Sequence, residues 1–129
     1  MTPPCPFCSP DPARVFLASA YVLGLWDAFP VRPGHAHGGT RRHVPDWLAA
    51  DETERQALVA AIPLALEAIR ARHPFDGFNF GVNVGAAAGQ TVAHLHLHVI
   101  PRTRGDVPDP RGGIRWVIPD LARYGDPRP

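Results

Sequence analysis

Residues 93–102 read AHLHLHVIPR, and three of the chain's seven histidines fall on its even-numbered positions, His94, His96 and His98. Strict alternation is the mark of a β-strand, because successive side chains point to opposite faces. The three histidines therefore share one face, while Leu95, Leu97 and Val99 form the other and face the core. Neighbouring imidazoles on such a strand stand roughly 7 Å apart, close enough to line one groove.

The segments before this strand give the rest of the fold. Residues 77–85, GFNFGVNVG, alternate Phe78, Phe80, Val82 and Val84 with Asn79, Gly81 and Asn83, which predicts a second, half-buried strand. AAAGQT (86–91) is a turn between the two. Residues 51–73, DETERQALVAAIPLALEAIRARH, predict the main helix. Leu58, Ile62, Ala65, Leu66 and Ile69 recur at helical spacing, and Asp51 with Glu54 makes a capping-box pair. Pro63 inside the pattern predicts a kink near Val59 or a break into two helices. Further upstream, Val15–Leu17 and Tyr21–Trp26 predict a hairpin. Residues 34–40, GHAHGGT, make at best a weak strand because of Gly34, Gly38 and Gly39. The order strand, strand, weak strand, helix, strand, strand predicts an α+β domain built on an antiparallel sheet.

The chain's 129 residues suit one domain, 1–129, with a cysteine-bearing loop at 1–13 and a loop-rich tail from 102 to 129. The tail is dense in Pro, Gly and Arg, with one apolar piece at Ile114–Ile118. Arg102, Arg104 and Arg115 are read as solvated or packing residues rather than phosphate ligands. The formal net charge is +1, with thirteen basic residues against twelve acidic. That balance gives no electrostatic case for a nucleic-acid or membrane partner. Neither a signal-peptide pattern nor a long apolar run is present in the sequence, so a cytoplasmic protein is expected. In that setting the pair Cys5 and Cys8, spaced C-x-x-C, reads as metal-binding or redox-active rather than as a disulfide.

Three aligned histidines allow two chemistries. They can bind one catalytic zinc and leave a position for water. The difficulty is reach, since Zn–N distances near ~2.0 Å from three side chains of one flat strand demand strong twist or a bulge. Alternatively, one neutral imidazole attacks phosphorus, and its neighbours hold the phosphate oxygens and the leaving group. The turn before the strand suits the second chemistry: Gly89 permits close backbone approach, and Gln90 and Thr91 carry donors.

HLHLHVI fits the pattern His-φ-His-φ-His-φ-φ, with φ hydrophobic, at every position, and the chain resembles the bacterial branch of the histidine-triad superfamily. The likeness runs through NVGAAAGQTVAHLHLHVIPR into RGDVP and also covers DAFPVRPGH and RRHVPD, most of the chain. The resemblance implies a homodimer with an antiparallel sheet of about five strands and one main helix. It also implies hydrolysis or transfer of nucleotidyl groups from phosphoramidates or dinucleoside polyphosphates. On that reading His96 is the nucleophile, and His98 contacts phosphate oxygens and the leaving group. Asn83, Gly89, Gln90, Thr91 and Val92 surround the phosphate, and Asp27 holds the ribose hydroxyls. Cys5, Cys8, His43 and His94 would hold a structural zinc, and no organic cofactor is implied. In one place the chain departs from its relatives. After PGH they continue with an aliphatic strand such as Leu-Val-Ile-Pro, whereas this chain has Ala36, His37, Gly38, Gly39, Thr40, Arg41 and Arg42. His37 is expected to face solvent or the groove and is not read as catalytic.

Overall fold

The computed structural model describes residues 5–125. Five strands form one sheet: β1 (Val15–Ala18), β2 (Val22–Trp26), β3 (Ala36–Thr40), β4 (Gly77–Val82) and β5 (His96–Arg102). Their spatial order is β1-β2-β3-β5-β4, and each neighbouring pair is antiparallel. The single long helix, α1 (Glu52–Arg70), lies over β2, β3 and β5.

Alternation along β5 puts Leu97 and Val99 under the helix and leaves His96, His98, Ile100 and Arg102 on the opposite face. Leu58, Ile62 and Ile69 of α1 are buried against that apolar side. Each such side chain is worth about 1.5–3 kcal/mol when buried. Together they outweigh the roughly 3 kcal/mol that an interior proline costs a helix, and α1 runs unbroken through Pro63. Pro63 stands on the exposed face, where the carbonyl it leaves unbonded can turn to water.

The capping box forms as the sequence indicates: Asp51 Oδ1 accepts from the Glu54 N–H at 2.8 Å, and Glu54 Oε1 accepts from the Asp51 N–H at 3.1 Å. Glu54 is 3% exposed and takes a second load. The Arg42 guanidinium grips it with a fork of 2.6 and 3.1 Å. The start of the helix thereby holds the segment that follows β3, including His43.

Residues 36–40 are a full strand in the middle of the sheet, not a marginal one. One of the glycines that weaken it in isolation is demanded by a neighbour. Gly39 faces Phe7, and a Cβ there would lie 2.7 Å from the Phe7 ring. The pairing of β3 with β5 sets His37 beside His98 and Gly39 beside His96. A second departure concerns β4, whose aromatic side was expected to be half-buried. Phe78 and Phe80 are 41% and 51% exposed. β4 is an edge strand, and the helix lies over the sheet's other strands. The tail folds into short 3-10 turns at Gly113–Val117 and Pro119–Leu121. Its arginines are structural here: Arg102 forks onto Asp106, and Arg115 donates to the Ala122 and Leu121 carbonyls. Among the described residues, no helix is long and apolar enough to cross a membrane.

Candidate active site and metal centre

The three histidines of the opening stretch are divided between two clusters. His94 precedes β5 and is fully buried. Its Nε2–H donates to the Thr40 carbonyl at 2.6 Å, which fixes the tautomer and leaves a lone pair on Nδ1. That nitrogen faces Cys5 Sγ at 3.3 Å, Cys8 Sγ at 3.5 Å and His43 Nδ1 at 3.1 Å. Cys8 Sγ and His43 Nδ1 are 3.2 Å apart. Two thiols and two imidazole nitrogens thus converge from three separate parts of the chain. Facing lone pairs favour a shared cation, and a Cys₂His₂ set suits tetrahedral zinc, with the Thr40 carbonyl as the orienting partner of His94.

His96 points into the groove. Its Nδ1–H donates to the His94 carbonyl at 2.8 Å, so Nε2 carries the free lone pair. Phe7, between the two cysteines, stacks over this ring at 4.5 Å and over the His94 ring at 5.2 Å. It is 4% exposed. The cysteine loop is therefore the roof of the groove as well as part of the metal centre.

His98 is held by a residue that sequence reasoning passed over. The Val31 N–H donates to His35 Nδ1 at 3.2 Å, which places the His35 proton on Nε2. His35 Nε2 lies 3.0 Å from His98 Nδ1 and donates its proton to it, so the His98 proton rests on Nε2 as a hydrogen-bond donor. Burial, with repulsion from His96 and His35, pushes His98 down to about 4 against the pull of Asp27, so the ring is neutral.

His37 lies in the groove, not in solvent, with a side chain only 11% exposed. Burial pushes its pKa down to about 3, although Asp27 favours the charged form. Asp27 Oδ2 approaches His37 Nε2 at 2.7 Å and His35 Nε2 at 3.3 Å. The approach to His37 is off the N–H axis, and neither ring nitrogen of His37 has a hydrogen-bond partner. Asp27 Oδ1 accepts from the Phe29 N–H at 2.7 Å. Burial raises the Asp27 carboxyl, but that N–H and the surrounding imidazoles outweigh it and hold the pKa below its ordinary value.

The turn 85–92 borders the groove at the start of β5. Gly85 and Gly89 take positive φ values of 88° and 91°, which only glycine adopts without strain. Gln90 spends its side chain inside the loop. Its Oε1 accepts from the Gly85 N–H at 2.9 Å, and its Nε2 donates to the carbonyls of Pro45 and Val92 at 2.6 and 3.0 Å. Both amide protons are thus occupied by backbone. Asn83, Gly89 and Thr91 are exposed and Val92 is half-buried. Beyond His98 along the same face, Ile100, Asn79, Arg32 and Trp116 line a cavity of about 620 Å³ under the tail.

A family description of the HIT domain matches residues 9–105, which span β1 to β5 and the histidines of both clusters but not Cys5 and Cys8. The chain belongs to the HIT family. An AP-4-A phosphorylase of Mycobacterium tuberculosis is 33% identical over 121 residues, 92% of this chain and 62% of that protein. An adenylylsulfatase of Arabidopsis thaliana is 32% identical over 124 residues, 93% of this chain and 59% of that protein. This HIT chain therefore spans about three fifths of the length of both relatives. Among solved structures, a zinc-bound histidine triad family protein of Mycobacterium smegmatis superposes with a TM-score of 0.73 at 32% identity. That match covers 81% of this chain and 84% of the other. His43, His35, His37 and Phe7 carry no strand or triad pattern of their own. Of these, only His43 was found from the sequence, through the RRHVPD likeness.

Proposed function

We propose that this HIT chain hydrolyses or transfers nucleotidyl groups through a covalent intermediate on His96. The observation that carries this reading is the His96 Nδ1–H bond to the His94 carbonyl, which turns Nε2 into the groove as the attacking nitrogen. That nitrogen attacks the α-phosphorus of a nucleoside phosphoramidate or dinucleoside polyphosphate. A P–N bond forms as the bond to the leaving group breaks. His98 Nε2–H donates a hydrogen bond to the phosphate oxygens and to the departing group, His35 holds its tautomer, and the leaving group takes its proton from solvent. Water, or another acceptor, then attacks the same phosphorus and gives its proton to solvent, the P–N bond breaks, and His96 is regenerated. The exposed Thr91 hydroxyl, Asn83 and the backbone from Gly89 to Val92 surround the phosphate, while Gln90 keeps that loop in shape. Asp27 is assigned to the ribose hydroxyls.

We assign a structural zinc to Cys5, Cys8, His43 and His94. When bound it supplies a clamp between the N-terminal loop, the segment after β3 and the entry to β5, and it takes no part in the reaction. The names of the AP-4-A phosphorylase and the adenylylsulfatase support the reading by analogy. Division of the triad between two clusters weighs against three histidines on one catalytic metal. The test is His96→Asn, assayed on an adenosine phosphoramidate and by trapping of labelled nucleotide on the protein. Turnover and trapped label should both disappear, with the fold and nucleotide binding retained. Near-wild-type hydrolysis by the variant would remove His96 as nucleophile. Elemental analysis of freshly purified protein should give one zinc per chain, lost in Cys5→Ser; zinc-free wild type would reject the clamp.

A further inference from the structure

The structure holds a second cluster of metal-ligating groups that the triad chemistry does not account for. Asp27, His35, His37 and His98 each bring a ligand atom to within 4.8 Å of the others. They come from the end of β2, the start of β3 and the middle of β5. Nothing in the nucleotidyl-transfer reading requires His37, yet both its nitrogens are buried without a hydrogen bond. Leaving such a group unsatisfied is destabilising, a penalty that an aliphatic side chain at this strand position would avoid. The penalty is reduced if a ring nitrogen of His37 binds a cation.

We infer that Asp27, His37 and His98 form a binding site for a divalent transition metal ion, distinct from the Cys₂His₂ cluster. The donor set is two neutral imidazoles and one carboxylate. That combination suits zinc, cobalt, nickel or iron(II) and leaves coordination positions for water. Ligand atoms around a tetrahedral ion at ~2.0 Å stand about 3.3 Å apart. Asp27 Oδ2 and His37 Nε2 are already 2.7 Å apart, and the His98 ligand atom lies within 4.8 Å of both, so a modest movement of side chains suffices. His35 serves as the supporting donor, not a ligand. The Val31 N–H occupies its Nδ1, and its Nε2–H can pass from His98 to Asp27 Oδ2, 3.3 Å away. That shift frees His98 Nδ1 for the metal and gives the ligating carboxylate a hydrogen bond.

The experiment titrates cobalt(II) chloride into the full chain as purified, read by absorption spectroscopy and calorimetry. Cobalt bound by Cys5 and Cys8 shows thiolate charge-transfer absorption, whereas cobalt on nitrogen and oxygen ligands shows only ligand-field bands. Wild type should bind cobalt that lacks the thiolate signature, one equivalent per chain. In His37→Leu and in Asp27→Asn that equivalent should weaken at least tenfold, while Cys5→Ser should keep it. Asp27→Asn decides the matter if His37→Leu does not fold. Wild type with no thiolate-free equivalent, or one that survives both substitutions, overturns the site. A corollary rests on the nucleotidyl-transfer reading, which gives Asp27 and His98 to the nucleotide. Cobalt should then raise KM for the phosphoramidate in wild type and not in His37→Leu. Binding without that competition would refute the substrate roles of Asp27 and His98 and leave the metal site standing.

Discussion

Gly39→Ala reverses the usual sign of a glycine replacement in a strand. Gly39 has an ordinary extended backbone, so alanine fits its dihedral angles, and the loss of unfolded-state entropy should stabilise by about 0.4–1 kcal/mol. The added Cβ, however, would stand 2.7 Å from Cδ1 and 3.2 Å from Cε1 of Phe7. That ring is pinned over His96 and His94 and cannot swing aside cheaply. Overpacking of this kind costs about 1–3 kcal/mol, so the net expectation in wild type is a loss of about 1–2 kcal/mol. In a Phe7→Ala background the obstruction is gone, and the same substitution should become neutral or stabilising. Urea denaturation of wild type, both single variants and the double variant measures the coupling directly. A Gly39→Ala protein as stable as wild type, or a cost unchanged by Phe7→Ala, would refute the claim that this glycine exists to seat Phe7.

Removing the donor that fixes the His98 tautomer, in His35→Asn, should lower kcat by roughly 10- to 100-fold with the melting temperature little changed; unaltered kcat would break the Val31–His35–His98 chain of hydrogen bonds as an explanation. His37 supplies a pH dependence. Its folded pKa is depressed to about 3 from an ordinary 6.5, so below 6.5 the unfolded chain takes up a proton that the folded chain resists. Stability is therefore complete above pH 6.5 and declines as pH falls towards 3, by about 2 kcal/mol at pH 5. His37→Leu should lose that much less than wild type between pH 7.5 and 5, and an identical decline in both proteins would show that His37 is not the group responsible. The exposed aromatic edge, Phe78 and Phe80 on β4, is the surface expected to be covered in a homodimer. Phe80→Asp should lower the mass seen by sedimentation from dimer to monomer; a wild type that is itself monomeric would end that expectation.

The parts of the molecule legible in the sequence are those in which one element carries its own pattern. Alternation alone set Leu97 and Val99 inward and His96 and His98 outward, and period and capping gave α1 its start at Asp51. β3 was not legible in this way. The reason for Gly39 lies in Phe7, which is distant in sequence, and the central position of β3 follows from its pairing with β2 and β5. The same limit applied to the site. His94 and the two cysteines could be grouped through the family resemblance, but the roles of His35 and His37 arise only when β3 is laid beside β5. Gln90 shows the same limit: its amide was expected to donate to phosphate, and its Nε2 donates to the carbonyls of Pro45 and Val92. For β4 the apolar alternation was real, but periodicity does not say what will cover the face.

Cys5 and His94 stand 89 positions apart in the chain, and this separation orders events during synthesis. The N-terminal loop leaves the ribosome long before the strand it covers exists, so its two thiols wait unpaired while the sheet is built. Local contacts within α1 and the β1–β2 hairpin can form early, because they close short stretches of chain. The roof over His96 is among the last pieces to settle. The cysteine loop thus completes its contacts only after β5 has been made, and until then its thiols are open to oxidation or to capture by the wrong metal.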